Sequence, residues 1–191
     1  MVDLDAAGHR GVRAFGREHP GWLSALSVLT HAGSTAALGV LAAGAVGVCL
    51  RAGRRADAVF IATAAVSAYL VSRGMRAIVD RPRPADRSWV AEGASFPSGH
   101  TANAAAAAAI LVIVTWPLAS AVGRSLAMVG GAGFTALIGL SRVAGGVHWP
   151  SDVVASCFVS VACVTTTAVF LTRRRVWWMS WRVWWMSGPE G

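Results

Sequence analysis

The sequence predicts an all-α protein, a polytopic bundle of transmembrane helices. Three observations carry that prediction. Hydrophobic residues make up 55% of the 191 and charged residues only 14%, too little polar surface to cover a soluble domain. Mean hydropathy is correspondingly high at +0.55. Five stretches, 29–50, 58–78, 100–116, 118–140 and 152–172, are apolar over about the 20 residues that a bilayer crossing takes, with slack for tilt or thinning. Lipid offers the backbone no hydrogen-bond partners, so these stretches are helices. The joints between them are short, which fits one membrane domain over 29–172 better than two domains or a repeat array.

Taken in chain order, residues 1–28 spread His9, Arg10, Arg13, Arg17, Glu18 and His19 among apolar positions. That pattern suits an interfacial amphipathic helix better than a sixth crossing. The first residues include Asp3 and Asp5 and lack a basic segment ahead of an apolar core, so a cleaved signal peptide is not expected and the first span does the targeting. Arg51, Arg54 and Arg55 lie between the first and second spans, Arg124 follows Pro117 between the third and fourth, and Arg173 to Arg175 follow the fifth. All three places fall on one side, which the positive-inside rule makes the cytoplasm. The loops at 80–99 and 141–151 then meet on the extracytoplasmic face of the plasma (inner) membrane. The alanines from Ala102 to Ala109, with Gly130, Gly131 and Gly133, allow close helix approach. Cys49, Cys157 and Cys163 sit in apolar runs without metal-binding spacing.

The tail, 173–191, repeats Arg-Val-Trp-Trp-Met-Ser at 175–180 and 182–187. Its tryptophans at helical spacing predict a second interfacial helix, on the cytoplasmic surface. All 17 basic residues are Arg and the net charge is +8. With no nucleic-acid module in the chain, these charges are assigned to membrane boundaries and one site, and no nucleic-acid partner is expected.

Three polar segments interrupt the apolar pattern. Arg73, Arg76, Arg81 and Arg83 crowd the end of the second span with few acids in the neighbouring sequence, an arrangement that favours a bound anion. Ser95-Phe96-Pro97-Ser98-Gly99-His100-Thr101 precedes an Ala-rich helix, so free N–H groups and the positive dipole end face the loop, as at phosphate-binding helix starts. Gly99 lets the backbone approach an oxyanion, and the Ser98 hydroxyl adds a donor. In 141–152, Asp152 follows His148 by four residues, within reach of its imidazole. A carboxylate there fixes the tautomer and stabilises the charge that develops as the other nitrogen attacks. Singly, these segments also fit snorkelling arginines, an ordinary helix cap and a structural histidine. Their meeting on one face is what favours phosphate chemistry.

Together they resemble the type 2 phosphatidic acid phosphatases, which share an active site with vanadium-dependent haloperoxidases. The resemblance covers roughly residues 29–172. Arg76, six residues, then Arg83-Pro84 stand where that family has Lys, six residues, Arg-Pro; Pro97-Ser98-Gly99-His100 matches its second motif; Ser141-Arg142, five residues, His148, three residues and Asp152 match its third. Arg76 replaces the usual Lys in a chain that has none, and it keeps a permanent charge with several donors.

The resemblance implies that Arg76, Arg83 and Arg142 clamp a phosphate, with Ser98 and the Gly99 N–H completing the cradle. It implies that His148 attacks phosphorus, that Asp152 orients His148, and that His100 protonates the leaving oxygen and then activates water. No metal and no other cofactor is implied. The expected substrate is a lipid phosphate at the bilayer: a polyprenyl carrier such as undecaprenyl diphosphate, or else phosphatidic acid, phosphatidylglycerol phosphate or a prenyl-phosphate sugar. Two further classes fit less well. Vanadate-dependent oxidant enzymes are soluble and larger, and a non-catalytic channel or scaffold has no need of a second histidine opposite the first.

Overall fold

Apolar segments that cannot expose their backbone to lipid form helices, and helices are the only regular secondary structure among the described residues. The structure, a computed structural model, describes residues 2–186, with side chains for 3–172. The helices are α1 (Val2–Glu18), α2 (Pro20–Leu29), a 3-10 turn (Thr30–Gly33), α3 (Thr35–Arg51), α4 (Arg55–Val79), α5 (Gly99–Thr115), α6 (Ala121–Ala144) and α7 (Pro150–Met186). By length and composition α4, α6 and the 150–172 part of α7 can each cross a membrane, and α2 with α3, taken as one bent unit, is long enough for a fourth crossing. The fifth expected span, α5, is a shorter apolar helix of 17 residues, about 25 Å long.

One boundary differs from the sequence expectation. The stretch at 29–50 is not a single rod: α2 and α3 meet at a 43° bend. Ser34 adopts an extended conformation, and its hydroxyl caps the backbone N–H of Ala37. This local hydrogen bond competes with helix continuation.

α5 is the hub, packing against α3, α4, α6 and α7. Small side chains make this possible. Ala64 and Ala68 of α4, Ala106 of α5 and Val164 of α7 share a buried cluster with Phe60, Ile61 and Ile110. Of the three glycines expected at an interface, Gly131 lies against Ala108, whose Cβ is 2.9 Å from where a glycine side chain would begin, while Gly130 and Gly133 face open space.

Contacts place Arg76, His100, Arg142 and His148 at one end of the bundle and Arg51, Arg54, Arg55 and Arg124 at the other. Arg54 spans neighbouring helices at that second end, donating to Asp57 and to the Val114 carbonyl. The expected surface placement of the Trp-rich segment concerns side chains outside the described residues, although the α7 backbone runs helical to Met186.

α1 packs against α6, α7 and α2 at the first end. Its inward face is polar: Asp5, His9 and Arg13, spaced by one helical turn, are all buried. His9 contacts the Asp86 carboxylate at 2.8 Å. Arg13 donates to Ser88 and to the carbonyls of Ala144 and Asp86.

Candidate active site

Three segments distant in sequence build the site. The first begins where Asp80, in the left-handed region at φ 42°, ends α4 and turns the chain into the 80–98 loop. Arg83 then gathers that loop around itself. Its Nε donates to the Gly93 carbonyl at 2.9 Å, and its Nη2 donates to Glu92 and Ala94 at 3.0 Å each. Nη1 reaches across to the third segment, donating to the Val147 carbonyl at 2.6 Å and lying 3.3 Å from His148 Nε2.

The second segment is the start of α5. Arg76 Nη2 donates to the Pro97 carbonyl at 2.9 Å, and a Cβ on Gly99 would meet that same Nη2 at 2.8 Å. The missing side chain therefore has a use beyond the one expected of it, admitting the arginine against the turn. Ser98 is fully buried, occupies the N-cap position and makes no side-chain cap. Its oxygen instead accepts from Thr101 at 3.0 Å, so the ordinary-cap reading does not account for this serine. His100 follows in the first turn, within electrostatic range of His148, Arg142 and Arg76.

The third segment closes the site. His148 is 2% exposed. Its Nδ1 lies 2.6 Å from the Ser95 carbonyl, which can only accept, so the proton sits on Nδ1 and Nε2 keeps its lone pair toward Arg83. Asp152 Oδ2 is 3.6 Å from the same Nδ1. At that separation the carboxylate supplies charge, while Ser95 supplies the orienting hydrogen bond. Asp152 is fully buried, with Oδ2 accepting from the Trp149 N–H at 2.9 Å and Oδ1 from Arg81 at 2.7 Å. Burial pushes the His148 pKa down to about 4; Asp152 opposes that shift, and the nearby Arg83 and Arg142 reinforce it.

The sign of this shift is testable. An unfolded imidazole takes its proton near 6.5, so His148 costs stability progressively as pH falls from there toward 4 and nothing above it. Side-chain 15N NMR of the detergent-solubilised protein at about pH 5.5, between the two values, should find His148 neutral. A ring titrating at its ordinary value would contradict the burial.

Arg142 is 8% exposed and donates to Thr30 Oγ1 at 3.1 Å. The Nε atoms of both Arg142 and Arg76 are buried without a partner. Burial first, and then the charge of Arg76, lower the Arg83 pKa, and Arg142 lies in the field of both Arg83 and Arg76. Like charges so placed, with donors unmet, form a site short of an anion. Among the described residues no three His, Cys, Asp or Glu side chains gather where a metal ion could be held.

The site residues that sequence analysis singled out, Arg76, Arg83, Ser98, Gly99, His100, Arg142, His148 and Asp152, thus come to one end of the bundle. The crowd of four guanidiniums resolves differently from expectation. Arg73 is exposed, and Arg81 has two acids of its own, Asp5 and Asp152, each at 2.7 Å. Both acids were invisible as neighbours because they lie 76 and 71 residues away. Sequence analysis also missed the Ser95 carbonyl, for which a backbone atom leaves no signal. The Asp5, His9, Arg13 spacing did carry a signal, a polar stripe on one helix face.

Gly145 joins the loops. Its carbonyl accepts from the Ser88 and Trp89 N–H groups, and a Cβ there would stand 2.2 Å from Trp89 Cε3. Gly145→Ala should lower unfolding stability by about 1–3 kcal/mol in a thermal melt. An unchanged melt would mean that the loop yields freely.

Fold and site together define a helical membrane protein that gathers three guanidiniums and two imidazoles at one end. The chain belongs to the PAP2 superfamily, which it matches over residues 57–178. Its structure is similar to that of the first transmembrane PAP2 type phosphatidylglycerolphosphate phosphatase from Bacillus subtilis, with TM-score 0.78, 21% identity and coverage of 90% of this chain and 86% of that one. It is also similar to Aquifex aeolicus LpxE, with TM-score 0.69, 22% identity and coverage of 86% and 94%. At these identities the likeness is one of fold. No curated protein sequence matches the chain significantly.

Proposed function

We propose that the protein is a metal-independent lipid phosphatase working through a phosphohistidine at His148. The observation that carries this reading is the nucleophile's geometry: Nδ1 is committed to Ser95, and Nε2 keeps its lone pair 3.3 Å from Arg83 Nη1, in the field of Arg83 and Arg142. In the first step the Nε2 lone pair forms a bond to phosphorus and the bond to the lipid oxygen breaks, with His100 delivering a proton to that oxygen. The ring then carries positive charge, which Asp152 and the Ser95 carbonyl stabilise. In the second step His100 takes a proton from water, the water oxygen bonds to phosphorus, the P–N bond breaks and phosphate leaves. Arg76, Arg83, Arg142, Ser98 and the Gly99 N–H hold the charged oxygens throughout, the electrostatic work that magnesium does in many phosphoryl-transfer sites. Asp152 is already committed to Arg81 and Trp149.

An apolar cleft of about 730 Å³ between α3, α4 and α5, with Thr35, Tyr69 and Asn103 in its lining, suits a hydrocarbon chain running beside the site. The substrate class is therefore a phosphate or diphosphate on a lipid. A polyprenyl carrier such as undecaprenyl diphosphate is the preferred member; phosphatidic acid and phosphatidylglycerol phosphate, the latter named for the B. subtilis neighbour, are the alternatives. The end that carries Arg51, Arg54, Arg55 and Arg124 faces the cytoplasm of the plasma membrane and the site faces outward. The helix α1 lies at the outer interface. Purified protein in detergent with EDTA, offered these lipids, should release phosphate from at least one at the rate seen without chelator. Activity that is lost to EDTA and restored by a divalent ion would overturn the mechanism.

A further inference from the structure

We infer that Asp5, on the N-terminal helix α1, is a positioning residue for the reaction, holding Arg81 and the first turn of α7 and through them Asp152 and His148. This rests on the reading of His148 as nucleophile. Asp5 lies outside the segment 57–178 that matches the superfamily. Its carboxylate is nevertheless 5% exposed and fully engaged with the site's support. Oδ2 accepts from Arg81 Nη2 at 2.7 Å, and Oδ1 accepts from the Ser151 N–H at 2.8 Å. The Ser151 hydroxyl donates to Oδ2 as well.

Two consequences follow from these contacts. Ser151 is the second residue of α7, so its N–H is one of the donors that a helix start leaves unmet, and Asp5 acts as a cap supplied by another helix. Arg81, meanwhile, forks between two buried carboxylates: Nη1 goes to Asp152 Oδ1 at 2.7 Å while Nη2 goes to Asp5. Without Asp5 one arm of the fork is loose, and the guanidinium is free to swing and draw Asp152 away from His148. Burial raises the Asp5 pKa, but the hydrogen bonds from Arg81 and Ser151 outweigh it and hold the carboxyl below its ordinary value. The His9 contact to Asp86 and the Arg13 contacts to Ser88 and Ala144 pin the next two turns of α1, so Asp5 is held in place by its own helix.

The test uses full-length protein in detergent and a lipid phosphate that the wild type hydrolyses. Asp5→Asn should lower kcat by about 10-fold or more with KM within about 2-fold, because the phosphate clamp is untouched. In an Asp152→Asn background the same change should cost less than about 2-fold, since its route to the imidazole is already cut. Multiplicative losses in that cycle, or an unchanged kcat, would overturn the positioning role. Should Asp5→Asn not yield folded protein, Arg81→Lys takes its place: an ammonium keeps the charge but lacks the rigid planar fork that sets one nitrogen against each carboxylate, and the same split and cycle are expected. His148→Ala separates the two levels. If it is inactive while Asp5→Asn and Arg81→Lys keep wild-type kcat, only the positioning role fails; if it is active, the reading beneath it fails.

Discussion

His148→Ala is expected to lower phosphate release by at least about 10³-fold while leaving the fold intact. On the proposed mechanism the lost group supplies the attacking electron pair, His100 is assigned to the leaving oxygen, and Asp152 is committed to Arg81 and Trp149. The wild type, quenched during turnover, should carry a phosphate adduct that is labile to acid and stable to alkali; the variant should carry none. Turnover surviving this substitution would remove the proposed nucleophile. The same detergent preparation run on a sizing column and in a thermal melt shows that the protein is still folded.

Arg142→Met should separate function from stability in opposite directions. The guanidinium is buried with one hydrogen-bond partner, Thr30, an unpartnered Nε and two like charges in range. Its ring contact is a Trp89 face 5.6 Å away. A methionine fills similar volume without burying a charge, so the melting temperature of the ligand-free protein should hold or rise. Activity should fall by about 10²- to 10³-fold, because the proposed clamp loses a donor for the developing oxyanion charge. If stability and activity fell together, the arginine would be a structural strut rather than part of an anion clamp. Arg83 would not give so clean a result, since four backbone carbonyls depend on it.

Much of this was legible in the chain because its signals are local. Hydropathy reads out the crossings, and Pro97 to His100 and Ser141 to Asp152 each carry their chemistry within a dozen residues. The break at Ser34 was missed because a single hydroxyl hydrogen bond decides it within an otherwise apolar run. The role of α1 was misjudged for a different reason. Polar residues at helical spacing read as a face turned toward water or headgroups, yet Asp5, His9 and Arg13 are buried because partners from two loops meet them there.

Composition and motif spacing by themselves determined a membrane-embedded helical bundle and the residues gathered at its charged end. Tertiary structure alone decided that the Ser95 carbonyl rather than Asp152 accepts the hydrogen bond from His148 Nδ1, that Arg81 bridges two carboxylates instead of facing an anion, and that α1 is part of the site's support. The physical reason is the reach of each interaction. Helix periodicity and solvent preference act over a few residues and leave a pattern in the chain, whereas a hydrogen bond between groups 76 residues apart depends on how the helices pack.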